Sequence, residues 1–90
     1  MPLVQFADDL ARFFPGLGEV RVEGSTVAEV IRALEDSFLG LPGYLVDEQG
    51  VMRPHVNIYV GDDLVRDRRG LSDAVAEGAT IFVFQALSGG

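Results

Sequence analysis

Residues 80–90 read Thr80-Ile81-Phe82-Val83-Phe84-Gln85-Ala86-Leu87-Ser88-Gly89-Gly90, an apolar run that closes on two glycines. The run is rich in β-branched and aromatic residues and predicts a last strand over 80–86. Successive strand side chains point to opposite sheet faces, so Ile81 and Val83 share one side and Phe82 and Phe84 the other. The two glycines cost conformational entropy and add nothing to packing, so the folded body does not need them. They make sense if the terminal carboxylate is the reactive group. A tail without Cβ atoms can thread a narrow channel, and 86–90, fully extended, reaches about 13–18 Å. Taken alone, the glycine pair fits a frayed end equally well.

Working back from this run, Val56-Asn57-Ile58-Tyr59-Val60 is the strongest strand pattern in the chain. Val56, Ile58 and Val60 fall on one face and Tyr59 on the other. Gly61-Asp62 then turns the chain into a short run over 63–66. Further back, Thr26 and Glu29 have the spacing of a capping box, in which the hydroxyl serves a free backbone N–H and the carboxylate reaches back. Val27, Val30, Ile31, Leu34 and Phe38 follow at helical spacing, with Glu29, Arg32, Glu35 and Asp36 opposite. This predicts a helix over 26–39, stopped by Gly40 and kept from resuming by Pro42. Leu3–Phe6 and 19–22 read as a first hairpin across the turn residues 15–18. Single helical turns are expected at 44–46 and 71–75.

These elements predict an α+β domain with one main helix covering one face of a sheet. The other face carries Tyr59, Phe82 and Phe84. An exposed apolar patch of that kind marks a partner surface, unless loops 7–18 or 41–54 fold over it.

Composition narrows the function. The chain has 90 residues, 48% hydrophobic and 23% charged, with 7 basic against 14 acidic residues and a net charge of −7. So acidic a chain is a poor ligand for phosphate backbones or anionic membranes. It has no cysteine, which excludes disulfides, thiolate nucleophiles and cysteine metal sites. No signal peptide opens it and no run suits a membrane span, so a single cytoplasmic domain over 1–87 with a flexible tail over 88–90 is expected. All seven basic residues are arginine. A lysine-free chain offers no ε-amine should its own C-terminus become an acylating agent.

Catalytic constellations are nearly absent. His55 is the single histidine and reads as a partly exposed residue at a strand edge. The adjacent acidic pairs at 8–9, 47–48 and 62–63 read as solvated charge. The serines lack a base partner, and nothing suggests an enzyme pocket.

The order of elements, the segments His55-Val56-Asn57-Ile58-Tyr59-Val60 and Asp62-Asp63-Leu64-Val65-Arg66, then Ala76-Glu77-Gly78-Ala79-Thr80-Ile81 and the terminal Gly89-Gly90, resemble the MoaD/ThiS-like β-grasp sulfur carriers. That family includes the small subunit of molybdopterin synthase, the thiamine sulfur carrier and the sulfur carrier of cysteine biosynthesis, the branch that looks nearest. The chain departs from the family at Phe82-Val83-Phe84-Gln85, where many members carry a proline before the tail. This leaves the sulfur acceptor open.

The resemblance implies a ubiquitin-like β-grasp, a mixed sheet of four to five strands crossed by one main helix over 26–39, with its first and last strands paired in parallel. It implies a carrier with no catalytic residue and no permanently bound cofactor. An activating enzyme would use ATP to adenylate the Gly90 carboxylate. Sulfide or a persulfide would displace AMP, leaving a thiocarboxylate that donates sulfur in cofactor or cysteine biosynthesis. Ser88 and Gly89 would form the tail. Phe84, six residues before the terminal glycine, matches a partner-contacting position of the family. Phe82, Tyr59 and Leu87 are expected beside it. The implied partners are the activating enzyme and an acceptor, either cysteine-synthase-like or a molybdopterin synthase large subunit. A ubiquitin-like modifier conjugated through Gly90 shares the same fold and tail.

Overall fold

The computed structural model describes residues 1–12 and 14–85. Leu87, Ser88, Gly89 and Gly90, and with them the expected domain boundary, lie outside the described residues. Along the chain run β1 (Leu3–Phe6), α1 (Asp8–Ala11), β2 (Glu19–Arg21), α2 (Val27–Ser37), α3 (Leu41–Leu45), β3 (Val56–Val60), β4 (Asp63–Leu64) and β5 (Thr80–Gln85). The strands form one mixed sheet in the order β2-β1-β5-β3-β4. β1 and β5 pair in parallel, Val4 opposite Ile81 and Phe6 opposite Val83. β3 runs antiparallel to β5 on its other side, Ile58 opposite Val83 and Tyr59 opposite Phe82. The last strand is therefore central, as the β-grasp expectation required.

The core lies between the sheet and α2. Val4, Ile58, Val56, Ile81 and Val83 from the sheet are buried, as are Val27, Val30, Ile31 and Leu34 from α2. Leu10, Leu17, Leu41, Leu45 and Met52 close this layer from the connections. Loops 7–18 and 41–54 thus contribute apolar side chains to the core layer.

The start of α2 shows why the chain folds locally as it does. Thr26 is the N-cap and its Oγ1 accepts from Glu29 N at 3.2 Å. The Glu29 carboxylate reaches back to Ser25, accepting from its N at 2.9 Å and its Oγ at 3.0 Å, one residue earlier than the capping box predicts. Val27 N donates to Asp73 O and Ala28 N to Leu71 O. The free N–H groups of the first turn are thereby satisfied.

This arrangement corrects the expected helical turn at 71–75. Leu71 and Val75 are both buried, which is what their spacing registered, but the segment is not helical and bridges Thr26 through Ala74. The carbonyls of Leu71 and Asp73 accept from the first N–H groups of α2 instead of closing a helical turn of their own. Leu71 sits at φ 53.

Three further boundaries differ from expectation. α2 ends at Ser37 rather than 39, with Phe38 as C-cap at φ −139 and half-buried, edge-on to Phe6. Gly40 follows at φ 88, a conformation that favours glycine. Pro42 does not bar a helix; it lies in the first turn of α3, where its missing N–H costs nothing. The connection between the first two strands holds α1, for which the sequence offered no strong signal.

Candidate functional site

β5 carries two populations of side chain. Ile81 and Val83 go down into the core, and Phe82 and Phe84 go up onto the face that no helix covers. The register lines up Gln5, Phe82, Tyr59 and Leu64 in one row across four strands. Asn57 and Phe84 face each other in the next row. The Phe82 and Phe84 rings lie 5.6 Å apart at 26°, and Tyr59 stacks on Phe84 at 5.8 Å and 13°. Aromatic side chains on neighbouring strands make large, rigid contact area of this kind.

This plate is accessible. Phe82 is 37% exposed and Leu64 46%, while Tyr59 and Phe84 are half-buried against each other. The loops do not cover Phe82. Of their aromatic residues, Phe14 and Tyr44 meet edge-on at 5.8 Å, and Tyr44 meets His55 at 5.6 Å. The Tyr44 hydroxyl donates to Gln85 Oε1 at 3.0 Å. His55 is half-buried in this contact, as the sequence suggested.

Polar groups bound the plate on both sides. Gln5 Nε2 donates to Glu19 Oε2 at 2.7 Å on the β2 side. On the other side the chain leaves the edge of β3 after Val65, and the Arg68 guanidinium takes over. It donates to Val56 O at 2.9 Å, Arg53 O at 3.2 Å and Asn57 Oδ1 at 3.4 Å. A planar guanidinium can hold several acceptors at once, so it completes an edge that the short β4 leaves open.

Sequence reading places Tyr59, Phe82 and Phe84 together, and the structure brings them together. Leu87, Ser88, Gly89 and Gly90 lie outside the described residues. Leu64 was missed as a member of the plate. Its signal is the burial of Val65, since alternation then sends Leu64 to the face of Tyr59.

Among the described residues two carboxylates have pKa values shifted downward, and both serve the backbone. Ser25 N–H and hydroxyl hold Glu29 below its ordinary value. The Ser72 hydroxyl at 2.6 Å, with the N–H groups of Gly70, Ser72 and Arg69, holds Asp67 well below the usual carboxylate range. Neither faces the aromatic plate. Among the described residues no group of three His, Asp or Glu could hold a metal ion, and no helix is long and apolar enough to cross a membrane. Tyr59, Phe82, Phe84 and Leu64 thus form a partly exposed apolar plate across β3, β4 and β5.

Comparison with known proteins agrees with that geometry. The sulfur carrier protein CysO of Mycobacterium tuberculosis (strain ATCC 25618 / H37Rv) is 36% identical over 77 residues, 83% of each chain. The small archaeal modifier protein 3 of Haloferax volcanii is 35% identical over 68 residues, 76% of this chain and 73% of that protein. In the crystal structure of the Amycolatopsis orientalis BexX/CysO complex, one chain superposes with a TM-score of 0.86 at 31% identity, covering 100% of both. The ThiS family pattern matches residues 8–90, and the chain belongs to the ThiS family.

Proposed function

We propose that this protein is a sulfur carrier whose Gly90 carboxylate is activated by a partner enzyme and converted to a thiocarboxylate. The observation that carries the reading is the aromatic side of β5, where Phe82 and Phe84 stack on a strand whose last described residue, Gln85, stands five positions before Gly90. The proposed docking plate and the C-terminal glycine pair are thus neighbours along one stretch of sequence. Membership of the ThiS family and the CysO relatives support it.

The chemistry follows from the carboxylate. It is a poor electrophile until a good leaving group is attached. ATP, consumed by the activating enzyme, would supply AMP to the carboxylate with release of pyrophosphate. Hydrosulfide would then form the C–S bond as the C–O bond to AMP breaks, leaving a thiocarboxylate, AMP and a proton. The thiocarboxylate is a soft nucleophile, ionised at neutral pH, and its covalent attachment keeps sulfide from diffusing away. This chain supplies recognition and reach, and the catalytic residues belong to its partners. A cysteine-synthase-like acceptor is the reading favoured by the CysO relatives; a molybdopterin synthase large subunit is the other.

A second reading, conjugation through Gly90 to lysines of other proteins, is favoured by the archaeal modifier relative. The absence of lysine here would forbid chains of the protein on itself through ε-amines. The test is ATP–pyrophosphate exchange with the activating enzyme of the same genome. Exchange should require Gly89-Gly90 and yield sulfur-labelled carrier with sulfide. Exchange followed only by higher-mass conjugates would favour the modifier, and no exchange would count against both.

A further inference from the structure

We infer that Tyr44 is a positioning residue for the C-terminal reaction: its hydroxyl holds Gln85, the last described residue of β5, and so anchors the chain five positions before Gly90. The inference rests on the sulfur-carrier reading of Gly90.

Gln85 falls on the side of β5 that carries Ile81 and Val83, and its register partner is the fully buried Val56. A half-buried amide at the end of an apolar row needs a partner. Tyr44 of α3 supplies it, donating its O–H to Gln85 Oε1 at 3.0 Å across 41 residues of sequence. The tyrosine ring is itself held edge-on by Phe14 and by His55. Behind it, Arg53 Nε donates to Gly43 O at 3.0 Å, tying α3 to the approach to β3. The hydroxyl is therefore a fixed point, built from three parts of the chain, at the strand's last described residue.

The location gives it consequence. Four residues separate Gln85 from Gly90. Were β5 to open at Gln85, each released residue would add about 3.3 Å of extended chain between the sheet and Gly90. Reaction rates at a docked active site fall steeply with misplacement of the reacting group, on the order of a hundredfold for 1 Å. A clamp at Gln85 limits that opening without touching the docking plate, which is on the opposite side of the sheet. It should act on turnover more than on binding.

The experiment uses the full chain with the activating enzyme, ATP and pyrophosphate release as readout. Tyr44→Phe keeps the ring and removes the donor; Gln85→Met keeps the length and removes the acceptor. Each should lower kcat about three- to tenfold, the usual worth of one hydrogen bond, with KM unchanged within about twofold. The double variant should be no slower than either single one, and Gln85→Glu, which keeps an acceptor, should restore most of the rate. On the isolated protein, the heteronuclear NOE at 83–85 should fall in both single variants. Wild-type turnover with unchanged kcat in Tyr44→Phe overturns the clamp alone. So does a loss expressed in KM, as expected of the plate. If wild-type protein is not adenylated at all, the sulfur-carrier reading fails and the inference falls with it, whatever the NOE shows.

Discussion

Tyr59 and Phe84 stack across the boundary of β3 and β5, their ring centroids 5.8 Å apart and their planes 13° from parallel. Phe82 stacks on Phe84 as well and lies opposite Tyr59 in register, so the three rings make a continuous plate on one face of the sheet. Ile58 and Val83, directly across the sheet from it, are in the core. The same two strands therefore separate a surface whose loss should affect docking from one whose loss should affect folding.

Phe84→Ala tests the first half of that division. Aromatic residues at the centre of an interface are worth on the order of 2 kcal/mol or more on truncation, about a thirtyfold rise in Kd for the activating enzyme. The melting temperature should stay within a few degrees of wild type. Ile58→Ala, at a fully buried position, should instead lose roughly 2–5 kcal/mol of stability in denaturant titration. A reversed pattern would mean that the two faces have been exchanged.

Gly24 is a second structural test. A Cβ there would meet Val30 Cγ2 and Val30 N at 2.8 Å each, and the Val30 N–H is already committed to Thr26 O in the first turn of α2. Gly24→Ala should destabilise the domain by about 1–3 kcal/mol through displacement of that turn. At Gly18 a Cβ meets nothing within 4 Å, so Gly18→Ala should be close to neutral. Calorimetry of the pair decides whether the close approach at 24 is a constraint on the fold.

What the sequence disclosed and what it concealed divide along physical lines. The alternation in 56–60 and 80–85 was legible because Val56, Ile58, Ile81 and Val83 are β-branched residues at every second position, and from it followed the aromatic plate. The cap at Thr26 was legible because its hydrogen bond closes within three residues. The segment 71–75 was not, because Leu71 and Val75 have the spacing of a helical turn while their backbone serves the distant N-terminus of α2. Tyr44 was not legible either. Its partner Gln85 is 41 residues away, and nothing local distinguishes that tyrosine from a core residue.

Asp67 ties the loop that presents Leu71 and Asp73 carbonyls to α2, and its acidity makes that tie dependent on pH. Its folded-state value is depressed, so the stabilisation is complete above the ordinary carboxylate range near pH ~4 and is lost as pH falls through the depressed value. The gap in melting temperature between wild type and Asp67→Ala should be constant above about pH 5 and narrow progressively below ~4. A gap that widened on acidification would show that the carboxylate does not act through its hydrogen bonds in the charged form.

Intact-mass spectrometry of the protein isolated from its native host reads the sulfur on Gly90 itself. A population heavier by the exchange of one oxygen for sulfur is expected, with fragmentation confining the change to Gly90, and no such population when Gly89 and Gly90 are deleted. A carrier that never gains sulfur in cells expressing its activating enzyme, or that carries it elsewhere than at Gly90, would contradict the sulfur-carrier reading.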